Sequence, residues 1–320
     1  MQKILKPKHG SIEWLRLRHR DEENKVVFGA SDAPALMGAS PYKTRQDLFI
    51  NKLQEPTIGE DKPEFRRGNI LEPLLLEQAS DFFSREIFTP NVVYRDGRFS
   101  ISLDGVDNEN EPTVIVEAKT TTRYAIHDSS DLPLEWLWQG WCQQGVLSQD
   151  RMNPVPVWFM VLDRDQRFSC VPMPDNYGAF SSLKMEASIL GGWVESGEPA
   201  PDDIDNFTAE QIAKIYKPTP TEIELTDEQA QMILELDMAK AQKKIAEETE
   251  TKLRNAIAQL LLGNEIGTYR GEKFVSWKQQ RGRKGVNITL LRNENPELAA
   301  QYETEGSPFR VMRIHKIGDK

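Results

Sequence analysis

Apolar residues along this chain recur with two spacings, and each spacing predicts a kind of element. Ser11 followed by Ile12, Trp14, Leu15 and Leu17 reads as a short capped helix. Ser31 reads as the N-cap of another, with Pro34 in its first turn and Gly38 at its end. Residues 44–52 form an amphipathic pattern with Leu48, Phe49 and Leu53 on one side. A longer helix opens near Gly68, and Ile70, Leu71, Leu74, Leu75, Ala79, Phe82 and Phe83 make a wide apolar stripe on it. Glu72 falls in its first turn, where the helix dipole mildly favours a carboxylate. Strand-like runs come next, at 91–94 and 98–103, split by the turn signal Asp96-Gly97. A run ending at Asp104 and a second at 114–120 are joined by an Asn/Glu/Pro-rich turn. Residues 133–147 are helical in pattern, 155–162 and 167–171 are strand-like, and 181–195 are again helical. This order predicts an α/β fold, a mixed central sheet flanked by helices, over residues 1–200.

After Gly197 the texture changes. Proline-rich segments around Pro199 and Pro218 predict a linker over 201–222. Apolar residues at helical spacing, from Ile233 to Leu261, predict a helical arm over 223–262. Residues 263–320 should hold a small β-hairpin, turning at Arg270-Gly271, and a basic segment from Lys278 to Lys284.

Composition narrows the class. The chain has 320 residues with 38% hydrophobic and 28% charged content, and no apolar run reaches the about 18 residues of a membrane span. Two cysteines, Cys142 and Cys170, suffice for neither a disulfide framework nor a four-thiolate metal site, so a reducing cytoplasm is expected. The net charge of −10 argues against nonspecific coating of nucleic acid. Basic residues are nonetheless clustered: Lys3, Lys6, Lys8, Arg16, Arg18 and Arg20 at the start, and the run after Lys278.

Candidate chemistry centres on Asp104 and on Glu117-Ala118-Lys119, which follow it by 13 to 15 residues. Alternation along a strand puts Glu117 and Lys119 on one face and Ala118 on the other. A lone Glu-x-Lys pair is ordinarily a surface ion pair. With a second carboxylate on the adjacent strand, the same residues can hold a divalent cation and orient water against a phosphate. The tryptophans at 136, 138 and 141 read as core rather than as base-stacking platforms.

Four segments occur in a recognisable order: Phe28-Gly29-Ala30-Ser31-Asp32, Arg67-Gly68-Asn69-Ile70-Leu71-Glu72-Pro73, Asp104 with Glu117-Ala118-Lys119, and Trp138-Gln139-Gly140-Trp141-Cys142-Gln143. Together they resemble the phage-type exonucleases of the lambda exonuclease/YqaJ group, in the PD-(D/E)xK nuclease superfamily. Leu103 stands where that superfamily has its name-giving proline, which supplies no ligand. The resemblance implies a restriction-endonuclease-like core and 5′→3′ digestion of linear duplex DNA with Mg²⁺, for which Mn²⁺ would substitute. Its metal ligands would be Asp104, Glu117, the Ala118 carbonyl and Glu72, with Lys119 and Gln139 catalytic. Arg18, Ser31 and Ser102 would meet the 5′ phosphate. Lys278, Arg281 and Arg283, in the basic run, would hold DNA backbone or else form a solvated tail. The expected partners are double-stranded DNA ends, a single-strand annealing protein and further copies of the chain, with no membrane. Two alternatives stay open: a DNA-end-binding recombination scaffold without turnover, and an endonuclease of the same superfamily.

Overall fold

Strands β1 (Gln2–Leu5), β2 (Val92–Asp96) and β3 (Phe99–Ile101) form an antiparallel sheet in that order. The computed structural model describes residues 1–58, 63–149, 151–197, 207–216, 218–282 and 287–302. A second, mixed sheet is built from β4 (Gly105–Val106), β5 (Ile115–Thr120), β6 (Val157–Leu162) and β7 (Phe168–Pro172). β5 runs parallel to β6, and the two outer pairings are antiparallel. The parallel pair needs a crossover, which α5 (Leu134–Ser148) supplies. The strand pairing of residues 2–5 was not expected from the sequence, because its partner lies about ninety residues away.

Alternation along β5 and β6 divides the core between two faces. Ile115, Val157, Phe159 and Val161 join the larger cluster, which includes Trp141, Cys142 and Val146 of α5 and Leu183, Ala187 and Leu190 of α6 (Ala179–Ser196). Val116 and Met160 point the other way, onto Leu75, Leu76 and Ala79 of α4 (Pro63–Phe83). The fold is thus a mixed α/β arrangement whose sheet is flanked by helices. Short helices α1 (Ile12–Leu17), α2 (Ala33–Leu36) and α3 (Arg45–Leu53) complete the N-terminal part. Ser11 caps α1 by accepting from Trp14 N, and Thr44 with Asp47 makes a capping box on α3.

Three expectations are corrected. Helix α4 begins at Pro63 rather than near Gly68, so Glu72 is mid-helix and owes nothing to the dipole of a first turn. The expected stripe also shifts: Ile70 is 68% exposed and Phe82 55%, while Leu75, Leu76 and Ala79 are buried. Pro73 sits inside this helix, where it has no N–H for the carbonyl four residues back. The expected linker is a docked helix over part of its length. α7 (Ala209–Ile215) is capped by Thr208, and Gln211 Nε2 donates to Asp47 Oδ1 of α3 at 2.7 Å. Residues 201–206 of that linker lie outside the described residues.

The chain divides into two compact units, Met1–Lys217 and Pro218–Lys320. In the second, α8 (Asp227–Leu261) is opened by a capping box of Thr226 and Gln229. β8 (Ile266–Tyr269) and β9 (Glu272–Ser276) make a hairpin, with Arg270 and Gly271 both at positive φ in its turn. Two short helices follow that the sequence reading did not contain, α9 (Ile288–Glu294) and α10 (Pro296–Gln301). Among the described residues no helix is long and apolar enough to cross a membrane.

Candidate active site

The ladder of β4 on β5 pairs Gly105 with Val116 and Val106 with Ile115, and this register carries Asp104 to a place across from Glu117. Asp104 Oδ2 accepts the Ala118 N–H at 3.0 Å, which ties the carboxylate to the end of β5. Glu117 and Lys119 face α5, as alternation requires. Glu117 is 2% exposed, yet both its oxygens accept hydrogen bonds. Its Oε1 accepts the Lys119 ammonium at 2.8 Å and the Gln139 amide, and its Oε2 accepts the Gln143 amide at 2.5 Å. Lys119 Nζ also donates to Gln139 Oε1, at 2.9 Å. A buried carboxylate paired and bonded in this way is tolerated, whereas an unpaired one is not.

Gln143 was not among the residues expected at the site. Its signal was legible, since residues four apart share a helix face and Gln139 was already placed there. Gln143 is fully buried, and its Oε1 has no hydrogen-bond partner.

Beside these groups lies a cleft of about 430 Å³. It is lined by the carboxylates of Glu72 and Asp104 and by Gln139, by Lys6, His9 and Arg18, and by Ser31, Ser102, Thr89 and Asn69. Of the expected phosphate contacts, Arg18, Ser31 and Ser102 are all brought to this one cleft. Arg18 Nη2 donates to Ser31 Oγ at 2.5 Å, and its guanidinium carbon stands 4.4 Å from the centre of the Trp14 ring. The His9 ring packs against Trp14 at 4.5 Å between centroids, tilted by 58°. Both Trp14 Nε1 and Arg18 Nε are buried without a partner.

Ser31 is not the N-cap that the sequence suggested. It lies within a 3₁₀ turn, Ala30–Asp32, capped at Gly29, whose N–H donates to Asp32 Oδ2 at 3.1 Å. Asp32 performs the capping, so the Ser31 hydroxyl is left for Arg18. Gly29 is needed for a different reason: a Cβ there would stand 2.2 Å from Arg18 Nη2.

Lys6 was legible only as one of the basic residues at the start and His9 not at all, because the turn after β1 delivers them and that strand was not foreseen. The electrostatics of the cleft are uneven. Burial holds the Asp104 carboxyl well above its usual range, and the charges of Glu117 and Glu72 push it further. Burial raises Glu72 as well, with Lys6 opposing and Glu117 reinforcing. Burial lowers Lys6, against the attraction of Asp104 and Glu72. For Asp32 burial would raise the pKa, but the ammonium groups of Lys52 and Lys43, with Arg18, outweigh it and hold the carboxyl low. Lys52 Nζ is 2.9 Å from Asp32 Oδ2.

Among the described residues no group of three or more His, Cys, Asp and Glu side chains is placed to hold a metal ion. The donor chemistry still suits a hard divalent cation. Asp104 and Glu72 line one cleft, oxygen is the donor throughout, and the burial and the Glu117 charge that raise both carboxyls would be offset by positive charge. Lys278 and Arg281 are exposed residues of the second unit, and Arg283 lies outside the described residues.

Comparison with known proteins finds the following likenesses. Residues 13–145 match the model of the YqaJ-like viral recombinase domain. Protein YqaJ of Bacillus subtilis (strain 168), itself uncharacterised, is 22% identical over 308 residues, covering 93% of this chain and 95% of its own. Among solved structures, an alkaline exonuclease (LHK-Exo) from Laribacter hongkongensis aligns at 16% identity and a TM-score of 0.45, over 58% of this chain and 93% of that one. A phage related exonuclease from Haemophilus somnus 129PT aligns at 11% identity and a TM-score of 0.39, over 54% of this chain and 95% of that one. Residues 13–145 are thus similar to the YqaJ-like viral recombinase domain, and Glu72, Asp104 and Gln139 of the cleft lie within the matched stretch.

Proposed function

We propose that this chain is a metal-dependent DNA exonuclease that digests linear duplex DNA from its 5′ ends. The observation that carries the reading is the convergence of Asp104, Glu117, Lys119 and Gln139, beside a cleft that Arg18 and Ser31 also line. Asp104 and Glu117 would hold Mg²⁺ or Mn²⁺, with the Ala118 carbonyl and Glu72 completing the set. A bound divalent cation supplies Lewis-acid polarisation of the phosphodiester and a more acidic water. The protein's own contribution is positioning. Glu117 and Gln139 fix the Lys119 ammonium between them, where it can donate to and orient the attacking water. Arg18, with Ser31, Ser102 and the nearby Lys6, presents a cationic, hydroxyl-rich wall to a terminal phosphate. The two solved exonucleases named above, and the recombinase domain itself, accord with a role in phage recombination. Its product would be a 3′ single strand for an annealing protein, and its working form a homo-oligomer.

The test is direct. Purified protein with Mg²⁺ should release nucleotides from a linear 5′-phosphorylated duplex, and Lys119→Ala should lower the rate by about 10³-fold or more while the melting temperature holds. Equal digestion of closed circles would reassign the protein as an endonuclease. One observation favours a second reading, that of an end-binding scaffold: no ready-made three-residue metal cluster is formed among the described residues. Binding of duplex ends in EDTA, with no nucleotide release in Mg²⁺ or Mn²⁺, would establish that reading instead.

A further inference from the structure

Helix α3 carries a lysine where its pattern asks for an apolar residue. Lys52 lies four residues after Leu48 and three after Phe49, on the face that those two bury, and it is 3% exposed. A lysine is almost never buried this far without partners. Its ammonium has three donors to place. It donates to the Arg18 carbonyl oxygen at 2.9 Å and to Asp32 Oδ2 at 2.9 Å, and it stands 5.3 Å from the centre of the Phe28 ring. The same end of α3 is also held in the other direction, since Arg20 Nη2 donates to the Lys52 carbonyl oxygen at 2.6 Å. Burial lowers the pKa of Lys52, and the Asp32 carboxylate opposes this.

Asp32 links that lysine to the cleft. Its Oδ2 also accepts the Gly29 N–H at 3.1 Å, and its Oδ1 lies 3.5 Å from Lys43 Nζ. It thereby anchors the 3₁₀ turn whose middle residue, Ser31, receives the Arg18 guanidinium. Arg18 is therefore held at two points, its main chain by Lys52 and its side chain by Ser31, and Asp32 joins the two holders. Burial lowers the pKa of Arg18, and among the charges that oppose this the carboxylate of Asp32 comes first. Three cations, Lys52, Lys43 and Arg18, act on this one carboxylate, and of the three only Arg18 lines the cleft. The surplus positive charge meets substrate at the guanidinium. A terminal phosphate, with about two negative charges, answers it better than an internal phosphodiester with one.

We infer that the buried Lys52–Asp32 pair is a positioning device for 5′-end recognition: it fixes Arg18 against Ser31 and so sets the preference for a phosphorylated over a hydroxyl end. Neither Lys52 nor Asp32 lines the cleft, so both act through Arg18. The inference rests on Arg18 as the ligand of the terminal phosphate.

Removing one member of a buried ion pair leaves the other uncompensated, whereas replacing both is tolerated better. The double variant Lys52→Met/Asp32→Asn is therefore the informative one, and its asparagine can still accept the Gly29 N–H. Fluorescence anisotropy in EDTA gives the Kd of the full chain for two duplexes that differ only in a 5′ phosphate. Wild type should bind the phosphorylated end more tightly. The double variant should lose about tenfold of that preference while its affinity for the hydroxyl end holds. Arg98→Gln breaks a different ion pair, to Glu195, and serves as the control: it should lower the melting temperature and keep the preference. Asp32→Asn alone reads the same ratio should the double variant not fold. A wild type without the preference overturns the inference, as does a folded double variant that keeps it or an Arg98→Gln protein that loses it. The ratio is one of binding, so it is read whether or not the protein cleaves DNA, and nucleotide release with Mg²⁺ tests the nuclease reading separately.

Discussion

Arg18 shows how much at this site depends on single atoms. Its guanidinium has to sit over Trp14 and reach Ser31, and the space it occupies is the space a side chain at position 29 would take. Gly29 has φ −80°, a conformation open to any residue, so Gly29→Ala leaves the backbone unstrained and acts by moving Arg18. The expected outcome is a rise of about tenfold in KM for 5′-phosphorylated duplex with kcat and melting temperature little changed, read from steady-state kinetics and calorimetry. An unchanged KM would mean that Arg18 does not touch the substrate. The sequence exposed part of this. Arg18, Ser31, Ser102, Asp104 and Glu72 were all named from motif order, and all line one cleft. That Lys6 and His9 join them was not legible, because what brings them there is a pairing of residues 2–5 with 92–95 that no local pattern encodes. Gln143 was within reach by periodicity alone and was passed over.

Elements were easier to read than their surroundings. α5 and α6 were found with boundaries near 133–147 and 181–195, against Leu134–Ser148 and Ala179–Ser196. Which face each buries was harder. Ile70 and Leu74 look like core on a helical wheel, but the sheet takes the row that contains Leu75, Leu76 and Ala79. The contact between α5 and α6 is close enough to demand a missing side chain. A Cβ on Gly145 would stand 2.0 to 2.6 Å from Phe180 Cγ, Cδ2 and Cβ, atoms near the backbone that cannot swing away. Gly145→Ala should gain helix propensity of roughly 1 kcal/mol and lose about 1 to 3 kcal/mol to overpacking. A net fall in melting temperature by calorimetry is expected, and a rise would show that α6 can shift without cost.

At the scale of the whole molecule, acidification should weaken the fold. His19 is 5% exposed, and burial, with Lys52 and Arg20 nearby, lowers its pKa to about 4. The native state therefore binds fewer protons than the unfolded chain between about pH 6.5 and pH 4. The stability His19 contributes is complete above pH 6.5 and is lost as pH falls through 4, on the order of 3 kcal/mol in all. Asp32, held low, adds a loss of the same sign at still lower pH. Melting temperature measured from pH 7 to pH 4 should fall, and His19→Gln should flatten the curve; a flat wild-type curve would contradict the neutral buried imidazole. The division of labour along the chain was legible as a change in texture near residue 200, although α7 returns to the first unit and shows that a proline-rich segment need not be only a spacer. One feature of the fold reaches into how the protein is made. The cleft takes residues from β1's exit, from α1, from mid-α4, from the edge of β4 and from α5, so no stretch of the chain shorter than residues 6–139 can assemble it. A nascent chain still being translated carries these groups unassembled, and the cleft forms only once residues 6–139 have left the ribosome.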